Sequence, residues 1–142
     1  MKYTSAYITG ALTVTSNTHD VRALYESVGA FCSSKNLITF VPHLKADPQK
    51  YPHMTPREVW EWNLRGVLAA DVVIAYVGMP STGTGAEIEI ARMAGKDVII
   101  WSFVGEIVTR FIQGNPAVQY NLIVKDIQEL EQKLEAIFLT TA

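Results

Sequence analysis

The chain reads as an α/β protein. It predicts a three-layer, doubly wound (flavodoxin-like, Rossmann-like) five-stranded parallel sheet in the order 2-1-3-4-5. Three observations lead there. The runs Asp71–Val77 (DVVIAYV) and Asp97–Ser102 (DVIIWS) are apolar without alternation, as in parallel strands buried on both faces. Between such runs lie segments with apolar residues at helical spacing. Strands alternating with helices imply right-handed βαβ units and hence one parallel sheet.

Taken in order, Lys2–Thr9 is the first strand, closed by Gly10. His19–Ser34 places Val21, Leu24, Tyr25, Val28 and Phe31 on one helical face. Leu37–Val41 is a short β-rich run ended by Pro42, and Pro42–Met54 is irregular. Thr55-Pro56-Arg57-Glu58 opens the next helix: Thr as N-cap, Pro in the first turn, and Glu three residues on to complete a capping box. That helix runs to about Ala69. After the strand Asp71–Val77, the Gly/Pro/Ser/Thr-rich stretch Gly78–Gly85 reads as a loop. A helix follows over Ala86–Ala94, stopped by Gly95. Beyond Asp97–Ser102 come a short helix at Val108–Gln113, a last strand at Tyr120–Val124, and a final amphipathic helix capped by Asp126.

At 142 residues the length suits a single domain over 1–142, and no repeat or linker interrupts it. With 49% hydrophobic and 18% charged residues, disordered and fibrous classes are excluded. A net charge of −2 gives no footprint for a nucleic acid polymer or an anionic membrane. The one cysteine, Cys32, excludes a disulfide framework and reads as a buried apolar residue. No segment has the pattern of a signal peptide or a membrane span, so the expected setting is cytoplasmic.

A sheet of this order binds ligands outside the C-terminal ends of strands 1 and 3. The first of these delivers Thr9-Gly10-Ala11-Leu12-Thr13, the second Gly78 to Glu87. Both are small-residue segments that admit close approach of a ligand to the backbone. The second ends at a helix N-terminus, which favours an anion, and Ser81, Thr82 and Thr84 add hydroxyls. Neither the GxxxxGK[ST] nor the GxGxxG phosphate loop is present. Read as a first-turn acid, Glu87 has its carboxylate kept ionised by the helix dipole. It either serves as a glycosyl-transfer nucleophile beside the cradle or merely complements that dipole. Asn63 shares a helix face with Val59, Gly66 and Val67, as a core amide or a ligand contact. Trp60 and Trp62 beside it suit core or interface packing. The long segment Pro42–Met54 suits a binding loop, where His43 and His53 are candidate contacts. The three histidines, His19, His43 and His53, lack metal-ligand spacing, so no metal site is expected.

These residues resemble the nucleoside 2-deoxyribosyltransferase-like family, and within it the branch of 2′-deoxynucleoside 5′-monophosphate N-glycosidases. The most specific part is Ala70-Asp71-Val72-Val73-Ile74-Ala75 followed by Pro80-Ser81-x-Gly83-x-Gly85-x-Glu87, with Tyr7-Ile8-Thr9-Gly10 as a looser match. The resemblance implies that Glu87 is the nucleophile attacking the anomeric carbon and that Tyr7 lies beside it. It implies a 5′-phosphate held at Ser81, Gly83 and Gly85, with Gly10, Ala11 and Thr13 also lining the substrate site. Transferases of the family typically place an aspartate at the Ser81 position. Thr109 falls where the hydrolase branch has a serine that reaches a neighbouring subunit's ligand, which implies a homodimer with shared sites. Two positions depart from the pattern: Thr13 stands where the hydrolase branch has arginine, and Asn63 where the family commonly has an aspartate.

The implied activity is hydrolysis of the base–sugar bond of a nucleoside 5′-monophosphate, with Glu87 and Tyr7 at the chemistry, Asn63 reading the base, and no cofactor. Base exchange on free nucleosides is the alternative within the family. A non-catalytic nucleotide-sensing module is the alternative outside enzymology.

Overall fold

A computed structural model describes residues 1–12, 21–47 and 49–140. The elements are β1 (Ser5–Thr9), α1 (Val21–Ser34), β2 (Ile38–Phe40), α2 (His43–Ala46), α3 (Pro56–Ala69), β3 (Val72–Tyr76), α4 (Thr82–Met93), β4 (Asp97–Phe103), α5 (Arg110–Gln113), β5 (Val118–Val124) and α6 (Ile127–Phe138). The strands form one parallel sheet in the order β2-β1-β3-β4-β5, as the sequence predicts.

Strand alternation divides the core between the two faces of the sheet. Ala6, Ile8, Val72, Ile74, Tyr76, Ile99 and Trp101 point to one side, against α1 and α6. Tyr7, Val73, Ala75, Val98 and Ile100 point to the other, against Val67 of α3 and Ile88 and Ala91 of α4. The central strands β1 and β3 are buried at every position, which is why their sequences show no polar alternation. Cys32 is buried in α1, and desolvation pushes its thiol up to about 12, where it stays protonated and inert.

Several boundaries differ from the sequence reading. β1 begins at Ser5 rather than Lys2, because pairing with β2 and β3 starts at Ser5 and Ala6. The Asp71 carboxylate instead accepts from the Thr4 amide at 2.7 Å and its hydroxyl at 2.6 Å, tying the chain before β1 to the start of β3. The segment expected to be irregular contains the helical turn α2. The capping box of α3 is formed as read, the Thr55 hydroxyl accepting from the Glu58 amide at 3.2 Å. Gly95 takes φ +71° just past the C-cap of α4, the left-handed position that favours glycine at a helix stop.

The largest difference is the start of α4. It begins at Thr82, not Ala86, with the Ser81 Oγ accepting from the Thr84 amide at 3.2 Å as N-cap. Gly83 and Gly85 give this stretch poor helix propensity, but the cap and the burial of Thr84 override that weak preference. Glu87 therefore lies in the second turn of α4. Trp60 and Trp62 are also not core: they are 54% and 40% exposed on α3. Among the described residues no helix is long and apolar enough to cross a membrane.

Candidate active site

A cleft of about 490 Å³ opens at the C-terminal ends of β1 and β3, where the sheet order reverses. Thr9 and Gly10 come from β1 and its exit, Val59 and Asn63 from α3, and Ser81 to Thr84 from the start of α4. The α2 segment closes one side with Pro42, His43 and Ala46.

Glu87 forms the buried floor, only 8% exposed. Its two oxygens are held separately. The Tyr7 hydroxyl donates to Oε2, and the Thr9 hydroxyl donates to Oε1 at 2.7 Å. Tyr7 and Thr9 are two residues apart on β1, so alternation sends both to the α3/α4 side of the sheet. Burial is the main influence on the Glu87 carboxyl and raises it above the ordinary range, while the two hydroxyl bonds pull it back down. Burial likewise raises the Tyr7 phenol, reinforced by the adjacent carboxylate, so Tyr7 stays a donor. This corrects the dipole argument made from sequence: from the second turn, desolvation rather than the helix N-terminus governs Glu87.

Asn63 and Thr84 line the cleft, and each has a buried side-chain oxygen, Oδ1 and Oγ1, that makes no hydrogen bond among the described residues. An unpartnered buried polar atom is costly, so each is well placed to gain from a ligand. Asn63 thus faces the cleft rather than acting as a satisfied core amide. Ser81 and Gly83 also line the cleft, whereas Gly85 does not and lies beside Ile112. Gly10 is required by crowding, since a Cβ there would collide with the Tyr25 hydroxyl. That hydroxyl donates at 2.8 Å to the Ala11 carbonyl and fixes the exit of β1. Thr13 lies outside the described residues. Thr109 is exposed, caps α5, and lines a separate depression on the other side of the α4 N-terminus. His43 lines the cleft; His53 is exposed and does not. No cluster of three His, Cys, Asp or Glu side chains among the described residues is placed to hold a metal ion.

Thr9 is the contact that sequence reasoning missed. The signal was its i+2 spacing from Tyr7 at the end of a buried strand, which puts both hydroxyls on one face.

No family model matches the chain. A protein of Thermofilum pendens (strain DSM 2475 / Hrk 5) with the provisional name 2′-deoxynucleoside 5′-phosphate N-hydrolase 1 is 37% identical over 87 residues. The match covers 59% of this chain, and the chain spans about three-fifths (61%) of that relative's length. The Clostridium botulinum CMP N-glycosidase BcmB superposes with a TM-score of 0.66 at 21% identity, over 92% of this chain and 98% of that one. The fold is that of the deoxyribosyltransferase-like proteins. A 2-deoxyribosyltransferase of Bacillus psychrosaccharolyticus shares it, with a TM-score of 0.61 at 17% identity over 89% of this chain and 90% of its own. The resemblance read from the sequence holds, and the cleft lies at the β1/β3 switch point of the shared fold.

Proposed function

We propose that the chain is a nucleotide N-glycosidase, hydrolysing the base–sugar bond of 2′-deoxynucleoside 5′-monophosphates. The observation that carries this reading is Glu87, buried at the cleft floor with each carboxylate oxygen held by one hydroxyl. Tyr7 and Thr9 fix the orientation of that carboxylate and favour its charged form. In the proposed reaction an ionised Glu87 oxygen attacks C1′, and the C1′–N bond breaks with its electron pair leaving on the base. Water then cleaves the glycosyl ester, giving the free sugar phosphate and restoring Glu87, as in a retaining glycosidase. The 5′-phosphate would lie at the N-terminus of α4, against Ser81, Gly83 and the hydroxyl of Thr84. Asn63 would hydrogen-bond the base.

Thr109 does not face the cleft of its own chain, and its neighbours Ile107 and Phe111 are 92% and 90% exposed. Those apolar side chains support a homodimer in which Thr109 serves the partner's site.

One observation favours base exchange on free nucleosides as a second reading: among the described residues no Lys or Arg side chain lines the cleft. A phosphate at the start of α4 would rest on hydroxyls and the helix N-terminus, with no lysine or arginine beside it among the described residues.

The test is chromatographic detection of free base from a panel of ribo- and deoxynucleosides and their 5′-monophosphates, with and without an acceptor base. Release by the wild type from monophosphates, absent in Glu87→Ala, is the expected result. Exchange seen only with acceptor base would move the protein to the transferase reading. Binding of nucleotide without any release would make it a sensor.

A further inference from the structure

Breaking an N-glycosidic bond leaves negative charge on the departing base unless a proton arrives with it. On the reading above, Glu87 is committed as nucleophile, and the Asn63 amide cannot act as a general acid. Two other titratable side chains line the cleft, Tyr51 and His43. Tyr51 is exposed, and its hydroxyl donates to the Leu44 carbonyl at 3.1 Å.

His43 is built differently. It opens α2, is 1% exposed, and lines the same cleft as Glu87 and Asn63. Its Nε2 lies 3.0 Å from Glu26 Oε1 on α1, a carboxylate–imidazole pairing that orients the ring. With Nε2 engaged there, Nδ1 is the ring nitrogen left to serve a ligand. The charged groups around it are known. Arg22 pairs with Asp47 and is the main reason the Asp47 carboxyl sits below its ordinary range, with a smaller contribution from His43 itself. The Tyr25 ring packs at 6.1 Å, and Lys45 lies exposed on the same short helix. Two carboxylates, one of them already neutralised by arginine, thus face a buried imidazole at the edge of the cleft.

We propose that His43 is the catalytic acid of this site and Glu26 its positioning residue. This rests on the glycosidase reading. As the C1′–N bond breaks, the imidazolium gives its proton to the base nitrogen that takes the electron pair, while a Glu87 oxygen bonds to C1′. The neutral imidazole then takes a proton from the water that cleaves the glycosyl ester. The products are neutral base and sugar phosphate, and both side chains return to their starting states.

The experiment compares two leaving groups, using the deoxynucleoside 5′-monophosphate that wild type cleaves best and 4-nitrophenyl 2-deoxyribofuranoside 5-phosphate. The nitrophenolate leaves without needing a proton. His43→Gln is expected to lower kcat/KM on the nucleotide about a hundredfold, and on the nitrophenyl substrate less than about threefold. Equal losses on both substrates would overturn the proposal. Because His43 is buried, Glu26→Gln at a half-exposed position provides the second arm. It should lower kcat on the nucleotide with KM unchanged and leave the nitrophenyl substrate within about threefold, since the ring loses the contact that orients it. An unchanged kcat on the nucleotide in Glu26→Gln would overturn the role of the pair. Silence of wild type on every substrate, or equal activity in Glu87→Ala, would instead bring down the glycosidase reading itself.

Discussion

Gly66 of α3 yields the space of its missing side chain to the ring of Tyr7: a Cβ there would stand 2.6 Å from Tyr7 Cε2. The aromatic ring that carries the hydroxyl to Glu87 is therefore positioned by a glycine on a neighbouring helix. Gly66→Ala should push the ring off its bond to Glu87 and lower kcat by about tenfold or more while leaving KM little changed. The overpacking should also cost about 1–3 kcal/mol of stability. Kinetics paired with chemical denaturation checks this, and full activity in the folded variant would show that the Tyr7 contact is dispensable.

The hydroxyl of Thr9 holds the other Glu87 oxygen, and it lowers a carboxyl that burial has raised. Thr9→Val keeps the shape and removes the donor, so the Glu87 carboxyl should rise further. A nucleophile must be ionised, so the acidic limb of kcat/KM should move to higher pH, with about a tenfold loss at neutral pH. Thr9→Ser should restore the wild-type profile. A limb that stays in place in Thr9→Val would separate Thr9 from the titration of the nucleophile.

Glu87→Gln should abolish base release, by at least about a thousandfold, and yet stabilise the fold at neutral pH. The folded carboxyl titrates above its unfolded value of about 4.3, so folding takes up a proton. The stability this confers is complete below the unfolded value and is lost as pH rises through the folded one. Glutamine has nothing to lose. The melting temperature of Glu87→Gln relative to wild type should therefore increase from pH 5 to pH 8, measured by differential scanning calorimetry. A difference independent of pH would mean that burial does not govern this group.

Ile107 and Phe111 stand almost fully exposed on either side of Thr109. If the proposed homodimer forms through this patch, Phe111→Asp should convert it to monomer in light scattering, since a charge replaces an apolar side chain there. If Thr109 serves the partner's site, the monomer should lose activity on monophosphates. A wild type that is monomeric at assay concentration would remove the shared-site idea.

The sheet was legible because β3 and β4 are continuous apolar runs and the α3 capping box names its own first turn. The pairing of Tyr7 with Glu87 came only through the family resemblance, since they stand 80 residues apart and nothing local announces the contact. The start of α4 was not legible: Ser-Thr-Gly-Thr-Gly is poor in helix formers, and tertiary packing of Thr84 decides it. That four-residue error moved Glu87 out of the first turn and reversed the argument about its charge. Thr9 was legible in principle through strand alternation, but a lone threonine at a strand end ordinarily reads as a β-former.

Ser81 allows helix capping and phosphate binding to be told apart. Its Oγ accepts from the Thr84 amide, so Ser81→Ala would weaken α4 by about 1 kcal/mol whatever the ligand. Ser81→Asp behaves otherwise. Aspartate is as good an N-cap as serine, so the melting temperature should hold, while a carboxylate now stands where the phosphate is proposed to lie. Like charges at that distance should raise KM for 5′-monophosphates at least about tenfold and leave free nucleosides unaffected or improved. Because the same substitution preserves the helix, any change in preference belongs to ligand charge and not to folding. Equal KM shifts for phosphorylated and unphosphorylated substrates would place the phosphate elsewhere than the N-terminus of α4.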